Sequence, residues 1–382
     1  MRILHVIPYM HPKYGGPPQA LRSMVDIAIH GGHDVQVYST TAGYDGSEEY
    51  GGFDHQVNQK NIYHFFKPSF PSSWFHSKDL LQQLLDNSSK IDLMHLHIPF
   101  TAPFRMASKI AMRSGTPFIA TLHGVLDKWS MDQKSYKKWP YYYLFEKQNL
   151  SSATLLHVTS SYEEVSVRRL CLDVPIENIP LPVRSSGSLR EISKDKHSIR
   201  LLFVGRLHPV KAVPIVLKAI KLLSDLGVNA IFDLAGSGTP SYERFIRNQI
   251  RSYQIEDKVV LHGHVDMEKK QILYKDCTVF LMPSFHENFG LAAAEAMASG
   301  IPVILSDRVG LASEVKKWGA GIVIPAGDAF ALAQAIVKLS QDQDLRRMGW
   351  AAKKLVESQL NHDAFSSSLL AMYQKAITAK IR

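Results

Sequence analysis

The sequence predicts an α/β protein of two doubly wound Rossmann-like domains that face each other across a cleft, followed by a C-terminal helical tail. Short apolar runs of strand length alternate with longer runs of helical periodicity, which is typical of parallel sheets covered by helices. A polar, charged stretch at residues 185–198 separates two copies of this alternation. The length of 382 residues also fits two domains, at roughly 100–200 residues each.

The limits of the domains follow from these patterns. We expect an N-terminal domain over residues 1–184, a linker over 185–198 and a second domain over 199–360. From about Phe330 the chain is predicted to be helical, and the last helix, residues 361–382, is expected to pack back on the N-terminal domain.

The predicted strands of both domains are short runs rich in Val, Ile, Leu and Phe, bounded by Gly, Pro or polar residues. In such sheets, ligands bind at the carboxyl ends of the strands, so two facing domains provide a site for two substrates. The first domain has strands at Arg2–Pro8, Asp34–Thr40, Asp92–His97, Pro117–Gly124 and Ala153–Ser160. The second domain has strands at Ile199–Gly205, Asn229–Gly238, Lys258–Val265, Cys277–Ser284, Ile301–Asp307 and Ala320–Gly327.

Composition and charge exclude several classes of protein. No apolar run reaches the roughly 18–20 residues that a membrane-spanning helix needs. The two cysteines lack a pairing pattern, which favours a reducing, cytoplasmic compartment. The net charge of +9 suits nucleic acid, an anionic membrane or a phosphate ligand. Because the positive charge is dispersed and no nucleic-acid recognition module is readable, we expect no nucleic-acid partner.

The stretch "HENFGLAAAEAMASG" contains two acids eight positions apart, Glu287 and Glu295. The first follows a predicted strand, and the second lies just over one turn into a helix that begins near Gly290. The amino end of that helix favours a phosphate, and Glu295 could accept hydrogen bonds from vicinal hydroxyls. From these residues alone, the favoured interpretation is an acidic helix start that complements the helix dipole, plus one solvated glutamate.

Two further loops follow predicted strands. In "FVGRLHPVKA", Arg206 and Lys211 form a pair of cations suited to a diphosphate, although an ordinary surface loop would look the same. In "MHPKYGGPPQA", Gly15 and Gly16 permit close approach of a ligand to the backbone, although a plain strand-to-helix turn also uses glycine.

Histidines close two other predicted strands. His123 in "ATLHG" could contact a sugar hydroxyl or move a proton, although a lone histidine is more often structural. His95 and His97 fall on one face of a strand, but no third metal ligand is evident near them in the sequence. We therefore expect no zinc site at these histidines.

One segment combines basic and aromatic residues, as in proteins that dock on a membrane interface or an acidic lipid headgroup. Partly buried aromatics beside a solvated lysine face are the alternative. The segment, Asp127–Gln148, contains Lys128, Lys134, Lys137, Lys138, Trp129, Trp139 and Tyr141–Tyr143, and Phe65–Phe75 adds further aromatics.

Taken together, these motifs resemble the retaining glycosyltransferases of family 4, which have the GT-B fold. The likeness is carried by the Gly15-Gly16 loop, "LHG" at His123, "GRLHPVK", and "PSFHENFGLAAAEAMASGIPV", in which Glu287 and Glu295 match the family's Glu-x7-Glu element. The segment Val309–Asp328 also fits, so the likeness covers nearly the whole chain and is strongest in the second half.

The resemblance implies a nucleotide-sugar donor, with UDP or GDP as the nucleotide, bound mainly by the second domain. It implies hexosyl transfer to a saccharide or polyprenyl-linked acceptor, with retention of configuration and without a metal ion or another cofactor. Arg206 and Lys211 would hold the leaving diphosphate, while Glu287 and His123 would face the donor sugar. Glu295 would bind the ribose hydroxyls. The other expected donor-binding residues are Gly15, Gly16, Asn288, Phe289, Gly290 and Leu291.

The chain departs from the family pattern in two places. The usual Lys-Gly is Lys211-Ala212 here, and "IPLPVR" (Ile179–Arg184) replaces an Asn-Gly turn. Two alternatives stay open: a nucleotide-sugar epimerase on the same fold, and a non-catalytic protein that binds nucleotide sugars. We expect a cytoplasmic transferase of surface polysaccharide or glycolipid synthesis, in peripheral contact with the inner face of an anionic membrane.

Overall fold

Two parallel β-sheets covered by helices form the framework of the protein, which confirms the predicted α/β class. The computed structural model describes residues 1–45, 62–69, 74–183, 199–340 and 342–380, so the predicted linker at 185–198 lies outside the described residues. The chain divides into two compact units. The first comprises Met1–Ile179 and Phe365–Arg382, and the second comprises Pro180–Ala364.

In the first unit the described residues form a seven-stranded sheet in the order β3-β2-β1-β4-β5-β6-β7. The central pairings are parallel, with Ile3 opposite both Val35 and Leu93. The chain leaves β1 to one side toward β2 and later returns to its other side as β4, so the strand order reverses between β1 and β4. The strands are β1 (Arg2–Val6), β2 (Asp34–Thr40), β3 (Tyr63–Phe66), β4 (Leu93–His97), β5 (Phe118–Thr121), β6 (Leu155–Val158) and β7 (Ile176–Asn178).

The second unit repeats this arrangement with six strands among the described residues, in the order β10-β9-β8-β11-β12-β13. The strand order reverses between β8 and β11, and ligands of doubly wound proteins bind beyond the strand ends at such a point. The strands are β8 (Ile199–Val204), β9 (Ala230–Ala235), β10 (Val259–Gly263), β11 (Val279–Met282), β12 (Val303–Ser306) and β13 (Gly321–Ile324).

Within each unit, helices connect the successive strands whose connections the structure describes, as parallel pairing requires. The connection from β2 to β3 lies largely outside the described residues. In the first unit they are α1 (Gly16–His30), α2 (Lys78–Asn87), α3 (Ala102–Ser114), α4 (Lys128–Asp132), α5 (Ser135–Tyr141), α6 (Lys147–Ser151) and α7 (Ser161–Arg168), with a π-helical turn at Tyr142–Glu146. In the second unit they are α8 (Val213–Asp225), α9 (Pro240–Ser252), α10 (Met267–Asp276), α11 (Leu291–Ala298), α12 (Ala312–Trp318), α13 (Ala329–Lys338) and α14 (Asp342–Gln359). The last helix is α15 (His362–Lys380).

Two strands of the first sheet, β3 and β7, were not predicted. Both lie at the edges of the sheet and have only four and three residues, too few for a periodic pattern to show. All of the strands that were predicted are present. Several of them are shorter than predicted, because the flanking Gly and Pro residues lie in the loops.

The two faces of the first sheet differ in chemistry. One face packs on an apolar cluster that includes Val6, Leu96 and Phe104. The opposite face carries buried polar side chains, and α15 covers it with Leu369, Met372 and Tyr373, which are almost fully buried. The helix after the second unit therefore completes the core of the first.

Candidate functional site

The loop after β8 brings together two cations of the second unit. It contains a short 3-10 turn, Pro209–Lys211, which is capped by the Nδ1 of His208 accepting from the backbone N–H of Val210 at 3.3 Å. Burial lowers the pKa of His208, and so do the positive charges of Arg206 and Lys211. Both cations lie on this one loop, and Arg206 is exposed.

Lys211 forms an ion pair with Glu287 across the point where the strand order reverses. The backbone N–H of Phe285 also donates to the carbonyl of Val210 at 2.8 Å, so the loops after β8 and β11 are joined by backbone as well as by charge. The side chains of Lys211 and Glu287 are 19% and 22% exposed, which leaves them within reach of a bound molecule. Sequence reasoning named both residues, and the structure places them in direct contact.

The backbone of the loop after β11 is fixed by the segment that follows β12. The N–H of Glu287 donates to the carbonyl of Arg308 at 3.0 Å, and the N–H of Gly310 donates to the carbonyl of Glu287 at 2.8 Å. Asn288 is partly exposed within this loop, whereas the ring of Phe289 is buried, so Phe289 can offer only its backbone to a ligand.

Helix α11 begins at Leu291, directly after this loop. Its N-cap, Gly290, has φ of 103°, and a Cβ there would lie 3.0 Å from Cγ1 of Val309. Glycine is therefore required by the protein's own conformation and packing at this position. No side chain in the described part of the protein caps the helix, so its first backbone N–H groups and the positive end of its dipole are available to an anion.

Glu295 on α11 is held by α10, a contact that the sequence analysis did not predict. Its Oε2 pairs with the Nζ of Lys270 and accepts from the Oη of Tyr274 at 3.0 Å. Lys270 and Tyr274 are four residues apart and so share one face of α10, but nothing in the sequence indicates which element that face meets. The same hydroxyl lies 3.1 Å from the carbonyl of Ala292, which ties α10 to the first turn of α11.

In the first unit, Gly15 and Gly16 lie between β1 and α1. Gly15 has φ of 85°, and α1 starts at Gly16. A Cβ built on either glycine would have no heavy atom of the described residues within 4 Å beyond its immediate neighbours. Packing therefore does not explain Gly16, and the backbone there is open to a ligand.

His123 follows β5 in a left-handed conformation, with φ of 54°, which is unusual for a residue other than glycine. The next N–H, from Gly124, donates to Oε1 of the buried Glu163 at 2.5 Å, and Oε2 of Glu163 accepts from the N–H of Thr159 at 2.9 Å. A buried carboxylate therefore fixes the loop that presents His123, and the sequence analysis missed it. Strained backbone of this kind is concentrated at functional sites.

The inference that no third metal ligand lies near His95 and His97 is wrong, because His5 lies beside them. His5 on β1 is the register partner of His95 on β4, and one ring nitrogen from each of His5, His95 and His97 lies within 4.8 Å of the other two. Strand pairing brings them together although His5 is far away in the sequence. All three are fully buried.

The segment Asp127–Gln148 is partly buried and partly exposed. Tyr142 is buried, whereas Tyr136, Tyr143 and Leu144 are 71%, 66% and 68% exposed, beside the exposed Lys134 and Lys137. Part of Phe65–Phe75, residues 70–73, lies outside the described residues. No helix in the described ranges has both the length and the apolar character that crossing a membrane requires.

Two family models match the chain, one for each unit. The model described as Glycosyltransferase Family 4 matches residues 14–185, and the model described as Glycosyl transferases group 1 matches residues 188–355. Between them they cover nearly all of the chain except residues 1–13, the end of α14 and the last helix, α15.

Relatives of similar sequence carry glycosyltransferase names. WcaL of Escherichia coli K12, named for colanic acid biosynthesis, is 29% identical over 220 residues, which cover 56% of this chain and 51% of WcaL. The alignment thus spans only about half the length of that relative. YqgM of Bacillus subtilis 168, named as an uncharacterized glycosyltransferase, is 26% identical over 78% of this chain and 81% of its own.

Solved structures show the same fold over the full length. Sucrose-phosphate synthase from Thermosynechococcus elongatus superposes with a TM-score of 0.78 at 21% identity, covering 99% of both chains. HepE from Anabaena, solved with UDP and glucose, has a TM-score of 0.76 at 17% identity and covers 98% of this chain and 99% of its own. At these identities the likeness establishes the fold alone.

Proposed function

The chain belongs to the glycosyltransferases that join a Family 4 domain to a group 1 domain, and from this premise we propose that it transfers a hexosyl group from a UDP- or GDP-sugar to a saccharide or lipid-linked saccharide. Transfer retains the configuration at the anomeric carbon and serves the synthesis of a surface polysaccharide or glycolipid. The observation that carries the proposal is the contact of Lys211 with Glu287 beside Arg206 and the uncapped start of α11.

These groups suit a nucleoside diphosphate that departs from a sugar. Negative charge grows on the diphosphate as its bond to the anomeric carbon breaks, and fixed positive groups stabilise that charge. Arg206, Lys211 and the amino end of α11 provide such groups within one unit. In the proposal they do without a metal ion what a divalent cation does in other transferases.

The remaining predicted residues take complementary roles. Glu287 faces the hydroxyls of the donor sugar, and Glu295, already oriented by Lys270 and Tyr274, accepts from the ribose hydroxyls. Asn288 and the backbone of Phe289, Gly290 and Leu291 line the same donor site. The open backbone at Gly15 and Gly16 admits the phosphates, and His123 contacts the sugar.

The names of similar proteins support these substrate classes. HepE has been solved with UDP-glucose, and WaaB is named as a lipopolysaccharide outer core galactosyltransferase. Together with the colanic acid relative, they favour a UDP-sugar donor and an acceptor in cell-surface glycan synthesis.

Contact with a membrane is the second part of the proposal. The exposed apolar residues Tyr136, Tyr143 and Leu144 lie in one short segment with the exposed Lys134 and Lys137. Aromatic and aliphatic side chains enter the headgroup region, while lysines pair with anionic lipids. A lipid-linked acceptor would be reached from such a position at the cytoplasmic face.

A panel of UDP-, GDP- and ADP-sugars tested by thermal shift would identify the donor. We expect a UDP- or GDP-sugar to raise the melting temperature by several degrees at saturation, because a ligand that binds only the folded state stabilises it. Glu295→Gln should weaken this shift, whereas Glu268→Gln, an exposed glutamate on α10, should not. Equal shifts in both variants would refute the role of Glu295.

Release of nucleotide only in the presence of an acceptor would distinguish transfer from epimerisation.

A further inference from the structure

Five histidines occupy the polar face of the first sheet, and the proposed reaction uses only one of them. His5, His95, His97 and His157 are fully buried, and His123 lies partly exposed after β5. Register pairing of β1 with β4, β4 with β5 and β5 with β6 places the four buried histidines on one face, together with Thr121. His123 follows β5 and joins them through its contact with His97. Buried polar side chains on this scale need hydrogen-bond partners.

Their partners form one continuous chain of hydrogen bonds. His157 Nε2 lies 3.1 Å from the carbonyl oxygen of Ile179, and its Nδ1 lies 2.8 Å from Oγ1 of Thr121. Thr121 Oγ1 lies 2.6 Å from Nε2 of His95, whose Nδ1 lies 3.2 Å from Oη of Tyr373 on α15.

From Tyr373 the chain of hydrogen bonds continues toward the carboxyl ends of the strands. Tyr373 Oη lies 3.4 Å from Nε2 of His5, and Nδ1 of His5 lies 3.0 Å from Nε2 of His97. Nδ1 of His97 lies 3.2 Å from Nε2 of His123. Among the ring nitrogens of these five histidines, only Nδ1 of His123 has no hydrogen-bond partner in the described ranges.

The five imidazoles are neutral because burial disfavours their charged form. Burial lowers the pKa of His5 and His123 to about 3 and that of His157 to about 4. It also lowers the pKa of His95 and His97, as does the proximity of the other histidines. A neutral imidazole has one donor nitrogen and one acceptor nitrogen, so each ring passes the direction of the hydrogen bond to the next.

The carbonyl of Ile179 sets that direction, because a carbonyl can only accept. His157 must donate from Nε2, so its Nδ1 accepts from Thr121, whose oxygen then accepts from Nε2 of His95. Tyr373 must then donate to Nδ1 of His95 and accept from Nε2 of His5. The same rule gives N–H at Nε2 of His97 and of His123.

We propose that this chain of hydrogen bonds holds His123 in its Nε2–H tautomer, so that Nδ1 of His123 is a fixed acceptor for a substrate hydroxyl. His5, His97 and Tyr373 are then positioning residues, and the tyrosine supplied by α15 connects the two halves of the chain. The assignment of the tautomer stands on the hydrogen bonds among buried, neutral rings and needs no substrate. The identity of the hydroxyl, on a sugar, rests on the proposed function.

Binding of a metal by His5, His95 and His97 is the competing use of the same rings. The rings of His95 and His97 are stacked, with centroids 4.4 Å apart and planes 28° apart. Because nitrogen lone pairs lie in the ring plane, stacked rings do not direct them at one ion. The group also contains no carboxylate to balance a buried dication. The geometry therefore favours hydrogen bonding over chelation.

Long-range ¹H–¹⁵N correlation spectra of the full chain labelled with ¹⁵N-histidine would test the proposal at neutral pH. These spectra distinguish the protonated from the unprotonated ring nitrogen, and loss of a signal in His123→Ala assigns that residue. We expect all five rings as neutral Nε2–H tautomers. A neutral His123 protonated at Nδ1 would overturn the proposal.

Tyr373→Phe isolates the connecting hydroxyl while keeping the ring that packs on the sheet. His95 and His157 should keep their tautomers, because the carbonyl of Ile179 still orients them. His5, His97 and His123 should become mixtures of tautomers. Tyr142→Phe is the matched control: this tyrosine is also buried, and its hydroxyl has no hydrogen-bond partner among the described residues. Five unchanged rings in Tyr373→Phe would contradict the proposal.

Two further readouts separate the possible failures. Once a donor is known, kcat/KM of Tyr373→Phe should fall about tenfold, as expected for one weakened hydrogen bond to substrate, while Tyr142→Phe stays near wild type. A wild-type chain that transfers no sugar but shows the expected tautomers would refute the proposed function and not this inference. Stoichiometric zinc in the purified chain that is lost in His97→Ala would overturn the inference in favour of a metal site.

Discussion

At the residue scale, the candidate site depends on side chains held in place before any ligand binds. Lys211 is a flexible cation, and its contact with Glu287 restricts it to the mouth of the site between β8 and β11. Glu295 is restricted in the same way by Lys270 and Tyr274. Groups that are already oriented do not have to be reorganised as charge develops, which is why such arrangements are effective in catalysis.

Lys211→Ala should therefore reduce kcat far more than it alters folding. Loss of one preorganised positive group at a leaving diphosphate is expected to lower kcat by about 10²–10³. Lys221→Ala is the matched control, because Lys221 pairs with Asp225 on the exposed side of α8. Initial rates with saturating donor would measure the effect, and rates equal to wild type in Lys211→Ala would remove Lys211 from the site.

At the scale of single elements, β9 is held by a polar cluster around Asp233, a buried carboxylate within the strand. Asp233 is 2% exposed, accepts two hydrogen bonds from Arg200 at 2.6 and 3.1 Å, and lies 2.7 Å from Nε2 of His262. Burial raises the pKa of Asp233, but the hydrogen bonds from Arg200 and His262 outweigh it and leave that pKa below its ordinary value. The cluster thus joins β8, β9 and β10.

Asp233→Asn should destabilise the second unit at neutral pH by about 2 kcal/mol, less than for a fully buried pair because Arg200 is partly exposed. A depressed carboxyl pKa stabilises the fold above the unfolded pKa, and that stabilisation is lost as the pH falls through the folded pKa. The difference in unfolding free energy between the wild type and Asp233→Asn should therefore persist at pH 7 and disappear in acid. Urea unfolding across this range would measure it, with Asp225→Asn as the exposed control.

At the scale of the whole molecule, the exposed apolar and basic residues between α4 and α6 should decide where the protein works. Leu144→Asp is expected to lower affinity for anionic vesicles at least about tenfold, since it removes a leucine that would be buried and adds a repelled charge. Phe330→Asp, equally exposed but on α13, should bind as wild type does. Co-sedimentation at low and high salt would measure both variants. Wild-type protein that stays with the supernatant at low salt would contradict membrane contact.

Much of this architecture could be predicted from the sequence, because buried parallel strands and the loops after them carry strong local patterns. Arg206, Lys211 and Glu287 could be named because each follows such a strand. The edge strands β3 and β7 were too short for the same reasoning.

Contacts that depend on which strands or helices are neighbours were not predictable from one sequence. His5 meets His95 only because β1 pairs with β4, and Glu295 meets Tyr274 only because α10 lies against α11. Alternate histidines on a strand were the one signal of the polar face, and a single strand could not show what lies beside it.

The placement of Tyr373 has a consequence for the order in which the protein is made. Because α15 follows the whole second unit, the ribosome completes β1–β7 long before it delivers the helix that covers their histidines. The second unit, from Pro180 to Ala364, is continuous and is finished first, although its synthesis starts later. The nascent chain therefore has to carry an open, polar sheet face while the whole second unit is synthesised, and histidines present a far less adhesive surface during that interval than leucines would.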